Sequence, residues 1–206
     1  MKPGIHPAAL AASLLLLPLL PAGRLVAQDA RLTARLAPGP RAAVQRLVDS
    51  AAAARLPTEP LVRKALEGES KGADSTRIVL AVQRLLARLG TARQLFGPET
   101  NEAELVAGAA ALQAGATPES LTRLSTLRPR ERLAVPLSVL ADLLSSGIPA
   151  GQAWSSVYDM ASHGAADAEF LALRDRLTGA DGRQRGLPPP AERPPSAPLP
   201  GPEHSP

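Results

Sequence analysis

The chain has 206 residues, with 23 Lys and Arg against 19 Asp and Glu, and a formal net charge of +4. It contains no cysteine, which excludes disulfides, a lipid-anchoring cysteine, thiol catalysis and zinc-thiolate sites. Aromatic residues make up only 2% of the chain and no dense basic stripe is present, so no nucleic-acid partner is predicted.

Residues 1–28 have the pattern of a secretory signal peptide. Lys2 supplies the positive start, residues 8–20 form an apolar run, and residues 25–27 precede a plausible cleavage site. The run is shorter than the roughly 20 apolar residues needed to span a bilayer, and prolines interrupt its end. We therefore expect an exported protein, periplasmic or extracellular, with no transmembrane segment after signal cleavage.

Residues 29–178 are predicted to form one all-α domain. Alternating strand patterns are missing, and apolar residues recur at helical spacing, as in Leu137, Leu140, Ala141 and Leu144. The pattern predicts short antiparallel helical hairpins, stacked as a small solenoid or closed into a compact bundle.

A repeated pattern of helix ends and helix starts divides this domain. Each copy has a helix stop, then a small or apolar residue, then the start of the next helix. The five stops are Arg55, Gly72, Gly115, Gly147 and Gly164. An apolar anchor follows six residues after each stop, at Leu61, Ile78, Leu121, Ala153 and Phe170. These anchors are expected to begin the buried stripe of each helix.

This pattern of helix ends and starts predicts eight helices. Asn101 with Glu104 predicts a capping box at the start of the fourth. Their expected bounds are 41–54, 59–69, 76–96, 101–113, 118–127, 135–146, 150–162 and 167–177.

The charged segment LVRKALEGESKGADSTRIV, residues 61–79, is interpreted as a junction between two helices. Arg63 and Lys64 are spaced to pair with Glu67 along one helix, and Lys71 lies near the negative end of that helix. The larger run LPTEPLVRKALEGESKG, residues 56–72, resembles a recurring pattern in uncharacterised secreted helical-repeat proteins of high-GC bacteria. The resemblance implies a helical fold and export, and it implies no activity or site residue.

Trp154 and Tyr158 are one helical turn apart and share a face. Two interpretations are open. The first and preferred one places both residues in the core, because the domain has few other aromatics. The second makes them an anchor for a protein partner, since both residue types are enriched at interfaces.

Three acids, Glu67, Asp142 and Asp159, stand five residues before a stop. If the helices stack in register, these acids would form a ridge for a basic partner; otherwise they are solvated charges. The basic loop LRPRERL, residues 127–133, is interpreted as a solvated turn, with contact to an anionic surface as the alternative.

No catalytic or metal site is predicted. Asp159, His163 and Asp167 have four-residue spacing, but Gly164 ends the helix between them, so they need not converge on a metal. Serine, histidine and aspartate occur together only within one hairpin, without the GxSxG turn of a hydrolase. We expect no cofactor.

Residues 179–206 form a proline-rich tail that we expect to be disordered and partly polyproline II. Residues 195–198 match PxxP, although a spacer is the preferred interpretation over a docking motif.

The function expected from the sequence is an exported helical interaction or scaffold module of the bacterial envelope, bound to an unidentified envelope protein. The alternative is a small-ligand-binding or acid-residue hydrolytic protein that uses a groove between hairpins. The sequence leaves the oligomeric state open.

Overall fold

The computed structural model describes residues 30–128 and 133–185, and these residues fold into helices with no strand among them. The prediction of an all-α fold is confirmed. The predicted signal peptide, residues 129–132 of the basic loop and residues 186–206 of the tail lie outside the described ranges.

Helices connected by short turns make up nearly all of the described chain. They are α1 (residues 30–35), α2 (Pro38–Ala53), α3 (Glu59–Ser70), α4 (Ser75–Phe96), α5 (Glu102–Gln113), α6 (Pro118–Leu127), α7 (Ala134–Ser145), α8 (Ala150–Ser162) and α9 (Asp167–Arg185).

The chain divides into two compact units. The first, called here the N-terminal unit, comprises the described residues up to Ser50 together with Thr58–Val82. The second, the C-terminal unit, comprises Ala51–Pro57 and the described residues from Gln83 to Arg185. Helix α4 contributes its first turns to one unit and its remainder to the other.

Aliphatic side chains from α1 to α4 are buried in the N-terminal unit. They are Leu32, Leu36, Val44, Val48, Leu61, Val62, Ala65, Ile78 and Val82. Helices α3 and α4 approach closely at Gly68. A Cβ added at this residue would lie only 2.9 Å from Cγ1 of Ile78. At the surface of this unit, Arg31 Nη2 lies 2.6 Å from Glu59 Oε2.

Helix α7 is the central element of the C-terminal unit, in contact with α5, α8 and α9. It is buried on most of its circumference, through Pro136, Leu137, Val139, Leu140, Ala141 and Leu143. Helix α6 packs on α8. The buried apolar side chains around α7 form one continuous cluster, which is the core of this unit.

The predicted stops are confirmed at all five positions. Each has a positive φ, from 54° at Arg55 to 106° at Gly115. Each also has the same two hydrogen bonds: at Gly147, the N–H of Gly147 donates to Leu144 O, and the N–H of Ile148 donates to Leu143 O. This is the Schellman arrangement, in which the last carbonyls of a helix are satisfied. The five predicted anchors are all buried.

Arg55 is the one non-glycine residue with positive φ among the described residues, so Arg55→Gly should stabilise the protein. The left-handed conformation costs a side-chain-bearing residue about 1 kcal/mol, and glycine removes that cost. Urea denaturation should show a gain of about 1 kcal/mol. Gly164→Ala is the matched control, since its φ is 69° and an added Cβ would meet nothing within 4 Å. Gly164→Ala should lower the free energy of unfolding by a similar amount. A change of the same sign in both variants would contradict the energetic cost assigned to the left-handed conformation at Arg55.

Three features differ from the sequence predictions. Helix α1, residues 30–35, lies before the first predicted helix. Helix α9 continues through Gly179 to Arg185, eight residues beyond its predicted end at position 177. Gly179 sits inside the helix without a positive φ, so this glycine is not a stop. Arg128, predicted to lie in a solvated turn, is buried. Its Nη1 donates to Ala165 O at 2.9 Å, and its guanidinium lies 5.3 Å from the centre of the Phe170 ring.

Candidate functional site

A partly open groove of about 450 Å³ lies between α6 and α8 in the C-terminal unit. Its lining is Thr117, Glu119, Ser120, Arg123, Trp154, Ser155 and Tyr158. The groove therefore combines two aromatic side chains with one cation, one carboxylate and the hydroxyl groups of three Ser and Thr residues.

The burial pattern of α6 and α8 explains which side chains face the groove. Helix α8 buries Ala153, Val157 and Ala161 against the core. Trp154 and Tyr158 each follow one of these buried residues, so they lie at the edge of the buried stripe and are half-buried. Helix α6 likewise buries Leu121 and Leu124, which leaves Ser120 and Arg123 beside the groove.

Arg123 and Tyr158 form a paired contact across the groove. Arg123 Nε donates to the Tyr158 hydroxyl at 3.0 Å, and the guanidinium lies 4.5 Å from the centre of the Tyr158 ring. The first contact fixes the orientation of both side chains, and the second adds a cation–π attraction of about 0.5–1 kcal/mol at exposed sites. Together they hold the tyrosine ring in place as part of the wall.

The N-terminus of α6 supplies the polar end of the groove. Thr117 and Ser120 form reciprocal capping hydrogen bonds, with Ser120 N donating to Thr117 Oγ1 at 3.3 Å and Thr117 N to Ser120 Oγ at 3.1 Å. Hydrogen bonds from its own backbone N–H and from the Thr117 hydroxyl lower the pKa of Glu119. Glu119 is therefore a fixed negative charge at neutral pH.

The aromatic residues of the chain are divided between core and groove. The chain has four, two Phe, one Trp and one Tyr. Phe170 is fully buried and Phe96 packs against the apolar cluster. Trp154 touches the edge of that cluster and also lines the groove, while Tyr158 lines the groove beside Arg123. Trp154 therefore has features of both interpretations drawn from the sequence, because it packs against the core and also faces the groove.

The three acids of the predicted ridge have different surroundings. Asp142 on α7 lies 3.6 Å from Arg174 on α9. Asp159 on α8 is exposed, and no ion pair reaches its carboxylate from the described residues. Glu67 belongs to the N-terminal unit, where it pairs with two lysines. The structure brings none of these acids into the α6–α8 groove.

The surroundings of Glu67 agree with the junction interpretation. Lys71 Nζ lies 2.5 Å and Lys64 Nζ 3.0 Å from its carboxylate. The hydrogen bonds from Lys71 and then Lys64 lower the pKa of Glu67 to about 2. Because the group is exposed, such pairs stabilise the helix by only a few tenths of a kcal/mol.

His163 is the C-cap of α8, directly after Ser162. Its Nδ1 lies 2.7 Å from Asp159 O, within the last turn of the helix. Asp167 is the first residue of α9. Within the described ranges, no group of three His, Cys, Asp or Glu side chains is placed to hold a metal ion.

Arg123 and Glu119 are the groove residues that sequence reasoning did not single out. Their segment, GATPESLTRL, was interpreted only as a helix start. Helices α6 and α8 are separated in the chain by α7, so no local pattern shows that they pack together. The one available signal was the spacing of Glu119 and Arg123, which lie one turn apart and share a face of α6.

Two further observations bear on function. Within residues 30–128 and 133–185, no helix has both the length and the apolar content required to cross a membrane. No protein-family model, curated protein or solved structure matches this chain, so the chemistry of the groove is the ground on which a function can be proposed.

Proposed function

We propose that the protein is an exported interaction module of the bacterial envelope that binds a segment of an envelope protein in the α6–α8 groove. One observation carries this proposal. The single Trp and the single Tyr of the chain both line the same groove, together with an arginine.

Trp, Tyr and Arg are the residue types most enriched where binding energy concentrates in protein interfaces. Here Trp154 and Tyr158 are half-buried and Arg123 is exposed, so the two aromatic residues offer apolar surface while all three remain accessible. The contact between Arg123 and Tyr158 also reduces the side-chain entropy lost on binding, because both groups are already ordered. These properties support binding of a partner segment.

Export is supported by two features of the sequence. Residues 1–28 have the signal-peptide pattern described above. The segment of residues 56–72 resembles secreted helical-repeat proteins of high-GC bacteria. An envelope location in turn makes another envelope protein the expected partner.

A small-ligand site is the second candidate function. The groove volume of about 450 Å³ falls within the range of known ligand pockets, about 300–1,000 Å³. The hydrolytic form of this alternative has less support. Hydrolysis by acid residues needs a protonated carboxyl beside an ionised one, whereas Glu119 is the one carboxylate in the groove lining and its pKa is lowered.

The proposal is tested by a photo-crosslinking residue placed at Ser155 in the native host. Ser155 is exposed and lines the groove, so an adduct with a discrete envelope protein is expected after irradiation. Combining the probe with Tyr158→Ala and Arg123→Ala should reduce the adduct by at least about tenfold, since truncated hot-spot residues each cost more than about 1–2 kcal/mol.

Gln152 is the matched control position, because it is exposed on the same helix but does not line the groove. An equal adduct from Gln152, or one that survives the Tyr158 and Arg123 substitutions, would contradict binding in the groove. If charge reversal of Asp142 and Asp159 alone abolishes the adduct, the partner binds the acidic residues and not the groove. Absence of any adduct, with a thermal shift caused by a small molecule, would favour the second candidate.

A further inference from the structure

The two charged side chains of the α6–α8 groove do not pair with each other. Glu119 and Arg123 are spaced i,i+4 along α6, a spacing at which opposite charges commonly form an ion pair. Instead, Arg123 Nε donates to the Tyr158 hydroxyl at 3.0 Å, and the guanidinium lies 4.5 Å from the centre of the tyrosine ring. Among the described residues, no carboxylate pairs with this guanidinium.

The charge of Glu119 is stabilised within α6 itself. Glu119 lies in the first turn of the helix, where the positive end of the helix dipole attracts a negative charge. A hydrogen bond from its own backbone N–H stabilises the carboxylate further. Arg123 lies one turn later and receives no comparable stabilisation. The groove therefore contains an anion that is already stabilised and a cation that has no carboxylate partner.

The hydroxyl hydrogens of the Ser and Thr residues in the groove are used within α6 and α8. Thr117 Oγ1 donates to Ser120 Oγ at 3.1 Å, and Ser120 Oγ donates to Thr117 O at 2.7 Å. Ser155 Oγ donates to Gln152 O at 3.1 Å. Each hydroxyl has a single hydrogen, so these three side chains have no donor left for a ligand.

The unused donors of the groove belong to Arg123, Tyr158 and Trp154. A guanidinium has five N–H groups, and only the Nε–H of Arg123 has an acceptor among the described residues. Tyr158 accepts that hydrogen bond, so its own O–H is still available as a donor. The indole N–H of Trp154 can only donate, and it has no acceptor in the described part of the chain. The groove thus has an excess of donors and of positive charge beside its aromatic surface.

A carboxylate is the group that complements this excess. It can accept two parallel hydrogen bonds from the Nη atoms of an arginine, and the Tyr158 hydroxyl can donate a third. Trp154 lies one helical turn from Tyr158, about 5–6 Å between Cβ atoms. In an extended segment, side chains two residues apart share a face at about 6–7 Å. An apolar residue and an Asp or Glu two positions away therefore match the spacing of the groove.

We propose that the α6–α8 groove binds an extended acidic segment, with an apolar side chain packed on Trp154 and an Asp or Glu side chain two residues away paired with Arg123. This inference rests on the proposed function, since it names the chemistry of the partner segment. The partner is thus recognised by its negative charge. The acids of this chain that were predicted to form a ridge for a basic partner take no part.

Capped tripeptides test this chemistry on the full chain. Acetyl-Phe-Ser-Asp-amide and acetyl-Phe-Ser-Asn-amide differ only in one carboxylate, and the single indole N–H resonance of Trp154 reports the binding of either. The Asp peptide should bind about fivefold more tightly, near the upper limit for an exposed ion pair. In Arg123→Gln the two dissociation constants should become equal.

Arg176→Gln is the matched control. Arg176 is an exposed arginine of α9 that does not line the groove. The control removes the same charge from the C-terminal unit and should keep the fivefold preference. A preference that persists in Arg123→Gln, or that is lost equally in Arg176→Gln, would contradict pairing with Arg123.

Four further results would overturn the proposal. Equal binding of the Asp and Asn peptides would show that the carboxylate does not contribute. Tighter binding of acetyl-Phe-Ser-Lys-amide would make Glu119 the charged determinant. Tighter binding of acetyl-Ser-Phe with a free carboxyl group would assign the site to a chain terminus. An indole resonance that does not shift with about 10 mM of either tripeptide would exclude such a site.

Failure of this inference is distinguishable from failure of the proposed function. An adduct from the probe at Ser155, without any preference for the Asp peptide, would reject the acidic segment and retain the envelope partner. A fivefold preference without any adduct would reject the envelope partner and retain carboxylate recognition.

Discussion

Replacing Phe170 with alanine is expected to lower the free energy of unfolding by about 3–5 kcal/mol. Phe170 is fully buried in the cluster around α7, so the substitution removes its transfer energy and leaves a cavity. It also removes the ring against which the buried Arg128 guanidinium is placed. This loss is a large part of the roughly 5–15 kcal/mol that stabilises a typical domain.

Leu171 is the matched control, since it is the next residue of α9 and is 39% exposed. Leu171→Ala should change stability by less than about 0.5 kcal/mol. Urea denaturation followed by Trp154 fluorescence reports on the C-terminal unit, which contains all three residues. Similar midpoints for the two variants would show that Phe170 does not anchor the core.

Gly108→Ala is expected to destabilise the C-terminal unit by about 1–3 kcal/mol, although alanine favours helices. A Cβ at Gly108 would lie 2.6 Å from Cε2 of Phe96 and 3.2 Å from Cβ of Ala92. Phe96 packs against the apolar cluster, so its ring has little room to move. Steric overlap between α5 and α4 therefore outweighs the gain in helix propensity.

The same substitution at Gly90 should have the opposite sign. Gly90 lies within α4, and an added Cβ would meet nothing within 4 Å. Gly90→Ala should stabilise by about 0.5–1 kcal/mol, the usual advantage of alanine over glycine within a helix. Circular dichroism at 222 nm during urea denaturation gives both values. Destabilisation by both substitutions to a similar extent would contradict the close approach at Gly108.

Local signals in the sequence were sufficient to predict the helix ends. A stop such as Gly147 depends on a few neighbouring residues, because the left-handed residue and its two hydrogen bonds all lie within one turn. The capping box of Asn101 and Glu104 was predictable for the same reason, and the structure contains it. Anchors such as Phe170 followed, since the first apolar residue after a helix start usually faces the core.

Contacts between helices distant in the chain were not predictable in this way. The contact of Arg123 with Tyr158 joins residues 35 positions apart, and that of Arg128 with Ala165 joins residues 37 apart. Neither pair has a local pattern, because only the packing of whole helices brings them together. The sequence therefore pointed to the aromatic residues of the groove, Trp154 and Tyr158, but not to its charged residues, Glu119 and Arg123.

The helix pairing of the C-terminal unit has a consequence for the rate of folding. Among its described helices, those in substantial contact are at most two apart in chain order, as with α5 and α7 or α6 and α8. Little loop-closure entropy is lost in forming such contacts, and helical domains of low contact order fold in microseconds to milliseconds. The C-terminal unit can thus complete its core on a timescale far shorter than the synthesis of the chain, at about 5–20 residues per second.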